Sequence, residues 1–170
     1  LQGWGHVAAA AEALRARREV AAAQARHAEN MFGVWAELNR ATDLTSLFRS
    51  ATRVARSLAA AERSGLFVVD RAGGLLWTRA PNGRLDLSFS LLAGLVGVTA
   101  DRGKPLRLEE ACKDPRYDAA VDGLGGTAAT RRTRSMLLVP VLDLTSSYVA
   151  GVLAVANKRT GAPFDEGDEA

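Results

Sequence analysis

Tyr148-Val149-Ala150-Gly151-Val152-Leu153-Ala154-Val155-Ala156-Asn157-Lys158, continuing through Arg159-Thr160-Gly161-Ala162-Pro163-Phe164-Asp165-Glu166-Gly167-Asp168-Glu169, decides the fold. Its first nine residues are apolar and rich in β-branched side chains, the pattern of a buried strand. Asn157-Lys158 falls where that strand ends. Gly161 and Pro163 stop the ladder, Phe164 offers an apolar plug, and Asp165 is placed to cap a helix whose first turn holds Glu166, Asp168 and Glu169. A lysine at a strand end can therefore meet a carboxylate at a helix start.

Asn-Lys, five residues, Phe, three residues and Asp-Glu is a spacing that closely resembles the motif of GAF domains in cyclic-nucleotide phosphodiesterases and related adenylyl cyclases. The resemblance implies that Lys158 and Asp168 form a salt bridge bracing the binding pocket without touching ligand, with Phe164 as the packed hydrophobe beside Asn157 and Glu169. Thr133-Arg134 ahead of Met136-Leu137-Leu138-Val139-Pro140, and Asp114-Pro115-Arg116-Tyr117, also look like phosphodiesterase segments. The resemblance spans about Leu44 to Ala170. It implies an α+β fold: a GAF-like antiparallel sheet with helices packed on one face and a lid over a ligand, preceded here by a long N-terminal helix.

The 170 residues suffice for one domain with a sizeable core, and 48% hydrophobic content suits a globular chain. The apolar runs are short and interrupted, and the Ala-rich start carries Arg and Glu throughout, so no membrane span or signal peptide is expected. An intracellular, cytoplasmic location follows as an expectation. The lone Cys112 excludes an internal disulfide and is read as half-buried. Net charge is +3. The densest basic cluster, Arg131-Arg132-Thr133-Arg134, lies at the entry of a hydrophobic strand, without an aromatic platform or zinc spacing, so nucleic acid is not the expected partner.

From about Val7 to Arg40 the chain reads as one long helix of roughly 50 Å at ~1.5 Å per residue, within a connector of residues 1–41. Val7, Leu14, Ala21, Ala28 and Trp35 recur every seven residues in a weak seam. The helix either dimerises and transmits a signal or is a solvated linker whose apolar end docks. The domain at 42–170 opens with Thr42-Asp43 before an amphipathic helix bearing Leu44, Leu47, Phe48, Ala51, Val54, Ala55 and Leu58. Leu66–Asp70 and Leu75–Arg79 form a hairpin around Gly73-Gly74. Leu85, Leu87 and Phe89 alternate as a third strand, and Ser90 caps a short helix over 91–100. Residues 109–133 form a long crossover, the kind of connection that builds sites. Strands follow at 135–144 and after Thr145-Ser146-Ser147, with Pro140 at an edge or bulge. Most of the family's C-terminal helix is absent, which reads as a piece of a longer chain.

A cyclic nucleotide, cAMP or cGMP, needs a dry slot, amides for its phosphate and side chains that choose the base. The candidates are the backbone of Leu95, Val96 and Gly97, together with Asp122, Thr127, Thr130, Thr133 and Arg134 from the crossover. Cyclic-GMP-binding relatives often carry Glu three residues before the motif Asn, where this chain has Ala154, a departure that weakens a guanine-specific reading. Haem or a histidine metal cluster finds no histidine in the domain, since His6 and His27 precede it; the domain also offers no histidine to activate a nucleophile. Neither catalytic residues nor a metal site is assigned, and the domain reads as regulatory. Two functions stay open: a sensor that binds a cyclic nucleotide or similar small molecule and relays it through the connector helix to a phosphodiesterase or cyclase, or a ligand-free scaffold for homodimerisation or docking in a larger assembly.

Overall fold

The computed structural model describes residues 44–79, 86–125, 132–143 and 148–169. The connector helix, the Pro81-Asn82-Gly83 turn, the 145–147 turn, Thr127 and Thr130 lie outside the described residues. Helix α1 (Leu44–Leu58) is followed by strands β1 (Ala61–Asp70), β2 (Leu75–Arg79) and β3 (Asp86–Ser90). Helix α2 (Gly94–Arg102), strand β4 (Leu106–Leu108), a crossover, and the long strands β5 (Met136–Leu142) and β6 (Val149–Lys158) complete the order. All six strands form one antiparallel sheet in the order β3-β2-β1-β6-β5-β4.

Alternation along the central strands splits the core between the two faces. Phe67, Leu76, Met136, Leu138, Val152 and Ala154 pack with Leu95, Val96 and Ala100 of α2 and with Val121 and Leu124 of the crossover. Leu137 and Val155 point the other way, to Ala55 of α1, Ala59 and Phe164. The α+β antiparallel fold is thus the expected one, but the two described helices lie on opposite faces rather than together on one. Each supplies a different apolar surface: α1 has a single stripe, with Phe48 stacked on Trp77 at 5.6 Å, and exposes Arg49, Arg53 and Arg56. By contrast α2 buries Leu95, Val96 and Ala100 in the core on the other face, and its Gly97 lets the 91–92 turn pack against it.

Two boundaries differ from the sequence expectation, and Pro140 falls where expected. Strand β1 begins at Ala61, five residues before the apolar run at Leu66, because Glu62, Arg63 and Ser64 find specific polar partners. Helix α2 begins at Gly94, not after Ser90; Ser90 Oγ is only a distant acceptor for Leu92 N at 3.4 Å. The helix is capped instead from the crossover, as described below. Pro140 pairs with Val152 past the end of β4, so its missing N–H faces a free edge, and a bulge follows at Val141/Leu142. Cys112 is exposed rather than half-buried, because its short 3-10 turn (Ala111–Lys113) buries only Ala111.

Candidate functional site

The end of β6 and the turn beyond it close on each other. Lys158 Nζ lies 2.5 Å from Asp168 Oδ2 and 3.6 Å from Asp165, with only 14% and 12% of the Lys158 and Asp168 side chains exposed. Its hydrogen bond to Asp168 raises the Lys158 pKa above its ordinary value against the opposing effect of burial. Phe164 is buried beneath, its ring 5.8 Å from Nζ, close enough for a cation-π contact. Asp165 accepts from Gly167 N and Asp168 N, and Asp168 accepts from Asp165 N, a reciprocal capping box that fixes the carboxylate Lys158 meets. Glu169 faces elsewhere, 2.8 Å from Arg107 Nε on β4.

Asn157 acts on the other side of the chain. Its backbone is left-handed (φ 59), a conformation asparagine tolerates better than most residues. Asn157 Nδ2 donates to Glu62 Oε2 at 2.8 Å and Arg132 O at 3.2 Å, and Asn157 Oδ1 accepts from Arg134 N at 2.8 Å. The Arg134 side chain is exposed and reaches Glu62 at 3.5 Å. Asn157 therefore ties β6 to β1 and to the entry of β5.

The crossover supplies the second constellation. Asp122 is fully buried, and its carboxylate accepts from Leu95 N at 2.9 Å, Val96 N at 3.2 Å and Asp118 N at 2.9 Å. Burial pushes its pKa up, against the lowering pull of those three amides. This is a tertiary cap: Ala93, at the N-cap position of α2, makes no side-chain bond. It requires Gly94 at φ 65, since a Cβ there would stand 2.6 Å from Asp122 Oδ2. Three expected site residues, Leu95, Val96 and Asp122, are thus brought together, but as each other's partners. The Leu95 and Val96 amides hold Asp122, and the Gly97 amide donates to Ala93 O at 2.9 Å within the helix.

Thr133 is fully buried; its Oγ1 meets Tyr117 Oη at 2.9 Å and accepts from Arg63 Nη2 at 3.1 Å. Arg63 Nη1 also donates to Gly123 O at 2.8 Å. Glu62 and Arg63 were not singled out in the sequence; the available signal is the two-residue spacing Arg63, Gly65, Phe67 along β1. Between sheet and crossover lies a cavity of about 140 Å³. Gly65, Phe67, Thr78 and Phe89 line it from the sheet, and Val121 and Leu124 from the crossover. Ser64 and Arg79 reach it only along the strands, because Ser64 Oγ donates to Thr52 O and Arg79 Nη1 to Thr45 Oγ1, both on α1 across the sheet. Nearby, Arg116 clamps Asp114 with bonds of 2.8 and 2.6 Å and holds its pKa down at about 2.

An antiparallel sheet, a helix capped from a long crossover, and a Lys-Asp clasp over a buried phenylalanine define an α+β domain with both sheet faces covered. The chain belongs to the GAF domain family, whose model matches residues 43–170. It is similar to the dual 3',5'-cyclic-AMP and -GMP phosphodiesterase 11 of Drosophila melanogaster, 37% identical over 76 residues, 45% of this chain and 5% of that protein. It is also similar to a probable 3',5'-cyclic phosphodiesterase, pde-5, of Caenorhabditis elegans, 29% identical over 129 residues, 68% of this chain and 17% of that protein. Among solved structures it shares the fold of the GAF domain from a phosphoenolpyruvate-protein phosphotransferase of Coxiella burnetii, with TM-score 0.66 and 20% identity, covering 83% of this chain and 82% of that one. The chain thus spans less than a fifth of the curated relatives it matches.

Proposed function

We propose that this chain is a regulatory GAF domain of a larger signalling protein, a cyclic-nucleotide phosphodiesterase or cyclase. On this reading a cyclic nucleotide or similar small molecule enters between β1–β3 and the crossover, and residues 1–41 relay the change as a connector helix. The observation that carries it is the cavity. It is a slot walled by Phe67 and Phe89 on the sheet and by Val121 and Leu124 on a long crossover, with Thr78 among its polar lining, in a domain whose sequence relatives include named cyclic-nucleotide phosphodiesterases. The clasp supports it by fixing the strand end at β6, so that the crossover moves against a firm sheet. The domain regulates rather than catalyses. Among the described residues no helix is long and apolar enough to cross a membrane. The cytoplasmic location is part of the same proposal and is supported by the phosphodiesterase relatives.

A second reading, a ligand-free scaffold for dimerisation or docking, is favoured by one observation: Asp122 already satisfies the amides that a phosphate would use. The cavity, at about 140 Å³, also lies below the roughly 300–1,000 Å³ of common ligand clefts, so a nucleotide requires the crossover to yield outward. Calorimetric titration of the 170-residue chain with cAMP and cGMP separates the two. Saturable binding at micromolar concentration or tighter is expected for the sensor; no heat from a folded sample makes the scaffold the function.

A further inference from the structure

A cyclic nucleotide carries a negative phosphate, and burying that charge requires a positive group or several donors. Two of the obvious sources on this domain are committed. The α2 amides hold Asp122, and the Arg79 guanidinium crosses the sheet to Thr45 on α1. Arg63 is differently placed. It pairs with Ala156 as Gly65 pairs with Ala154 and Phe67 with Val152, so it shares the cavity face of β1 with two residues that line the cavity. Its guanidinium reaches Gly123 and Thr133, beside the lining residues Leu124 and Gly125.

The bonding of Arg63 is that of a cation awaiting an anion. Its acceptors are a neutral carbonyl and a neutral hydroxyl, and no ion pair to it occurs among the described residues. Its Nε is buried with no hydrogen-bond partner among the described residues. Nε and Nη2 form the side-on edge of the guanidinium, the pair that grips two oxygens of one phosphate or carboxylate. That edge now holds only the 3.1 Å bond to Thr133 Oγ1. Charge-assisted bonds are about twice as strong as neutral ones, so an oxyanion outcompetes Gly123 O and Thr133 for the fork.

We propose that Arg63 is the residue that reads negative charge on the ligand of this cavity, gripping a phosphate or other oxyanion through its Nε and Nη2 edge when the crossover yields. This rests on the sensor reading above and names the chemistry of its ligand: a small molecule with an apolar or aromatic body and one anionic group. Because Gly123 and Thr133 are the contacts released, charge recognition and crossover movement are one event.

The test compares nucleotides with their uncharged nucleosides. The 170-residue chain is titrated calorimetrically with cGMP, cAMP, guanosine and adenosine. The expected result is nucleotide binding about tenfold or more tighter than nucleoside binding, the scale of a charge-assisted bond. In Arg63→Gln the ratio should shrink to about twofold while nucleoside affinity persists, with Arg63→Lys between them. An unchanged ratio in Arg63→Gln overturns the proposal. If Arg63→Gln does not give a folded circular-dichroism spectrum, Arg63→Lys decides by the same ratio. Should neither nucleotides nor nucleosides bind, the sensor reading fails for nucleotides, and inorganic phosphate decides Arg63 separately. A melting midpoint raised by phosphate over chloride at equal ionic strength, and lost in Arg63→Gln or Arg63→Lys, upholds oxyanion recognition. No rise in the unmodified chain, or an equal rise in the variant, overturns it.

Discussion

The clasp at 157–169 and the crossover at 109–133 both bury charge, and they do so in opposite ways. In the clasp a lysine meets a carboxylate at 2.5 Å, and both sit against Phe164. Where the crossover meets α2 and β1, Asp122 binds amides and Arg63 of β1 binds a carbonyl and a hydroxyl, so neither charge meets its opposite among the described residues. A charge matched by a charge is held; a charge matched by dipoles can be traded for a better partner at smaller cost. The first arrangement suits a brace and the second suits a movable lid.

Variants can sharpen this contrast. The largest effect is expected at the clasp's apolar base: Phe164→Ala should cost about 3 kcal/mol of stability in urea denaturation, the scale of a buried aromatic lost to a cavity. A loss below about 1 kcal/mol would show that Phe164 is peripheral. Next, Gly94→Ala should cost about 2–3 kcal/mol, because it strains a left-handed residue and drives a methyl into the Asp122 carboxylate. Gly161→Ala is the control: it has similar backbone (φ 77) but nothing within 4 Å, and should cost about 1 kcal/mol. Equal losses would remove the Asp122 contact from the account.

A smaller effect is expected from the ion pair itself. Lys158→Met keeps the stem over Phe164 and leaves Asp168 unpaired, costing about 1–2 kcal/mol at neutral pH, between exposed and buried pairs. Its pH signature has a definite sign. The folded pKa of Lys158 is raised, so the pair contributes fully below about 10.5, the unfolded value, and is lost as pH climbs through the higher folded value. Lys158→Met should therefore flatten the alkaline limb of a stability profile.

The smallest effect lies at Asp114, which sits in the crossover but, unlike Asp122, is matched by a charge, that of Arg116. Its pKa is depressed to about 2 from 3.8, so its contribution is present above 3.8 and lost as pH falls toward 2. Asp114→Asn should remove that part of the acid limb in urea midpoints taken between those values. Asp122 has the opposite sign: its raised pKa means ionisation lowers stability as pH rises from 3.8 through the folded value. A stability profile with no such opposed slopes after Asp114 is neutralised would contradict the desolvation of Asp122.

Much of the fold was legible because it rests on local pattern. The apolar run to Ala156, the stripe of α1 and the Gly73-Gly74 hairpin each show in a window of a few residues, and the structure has the corresponding strand, helix and hairpin. Polar residues with distant partners were less legible. Glu62 and Arg63 interrupt the apolar pattern of β1, yet they are paired across 95 and 70 residues of chain to Asn157 and Thr133. Asp122 reads locally as a turn residue next to Gly123, and Ser90 reads as a helix cap; only the approach of the crossover to α2 exchanges those roles.

The sequence by itself determined the family, the strands and the charge-marked turn after β6, because hydrophobic period, turn chemistry and motif spacing are short-range properties. Tertiary structure alone decided that α1 and α2 cover opposite faces and that the amides expected to be open to a ligand are filled by Asp122. It also placed Arg63 on the cavity face. Those outcomes depend on which buried donor reaches which acceptor once distant segments pack, and desolvation settles that only when the chain has folded.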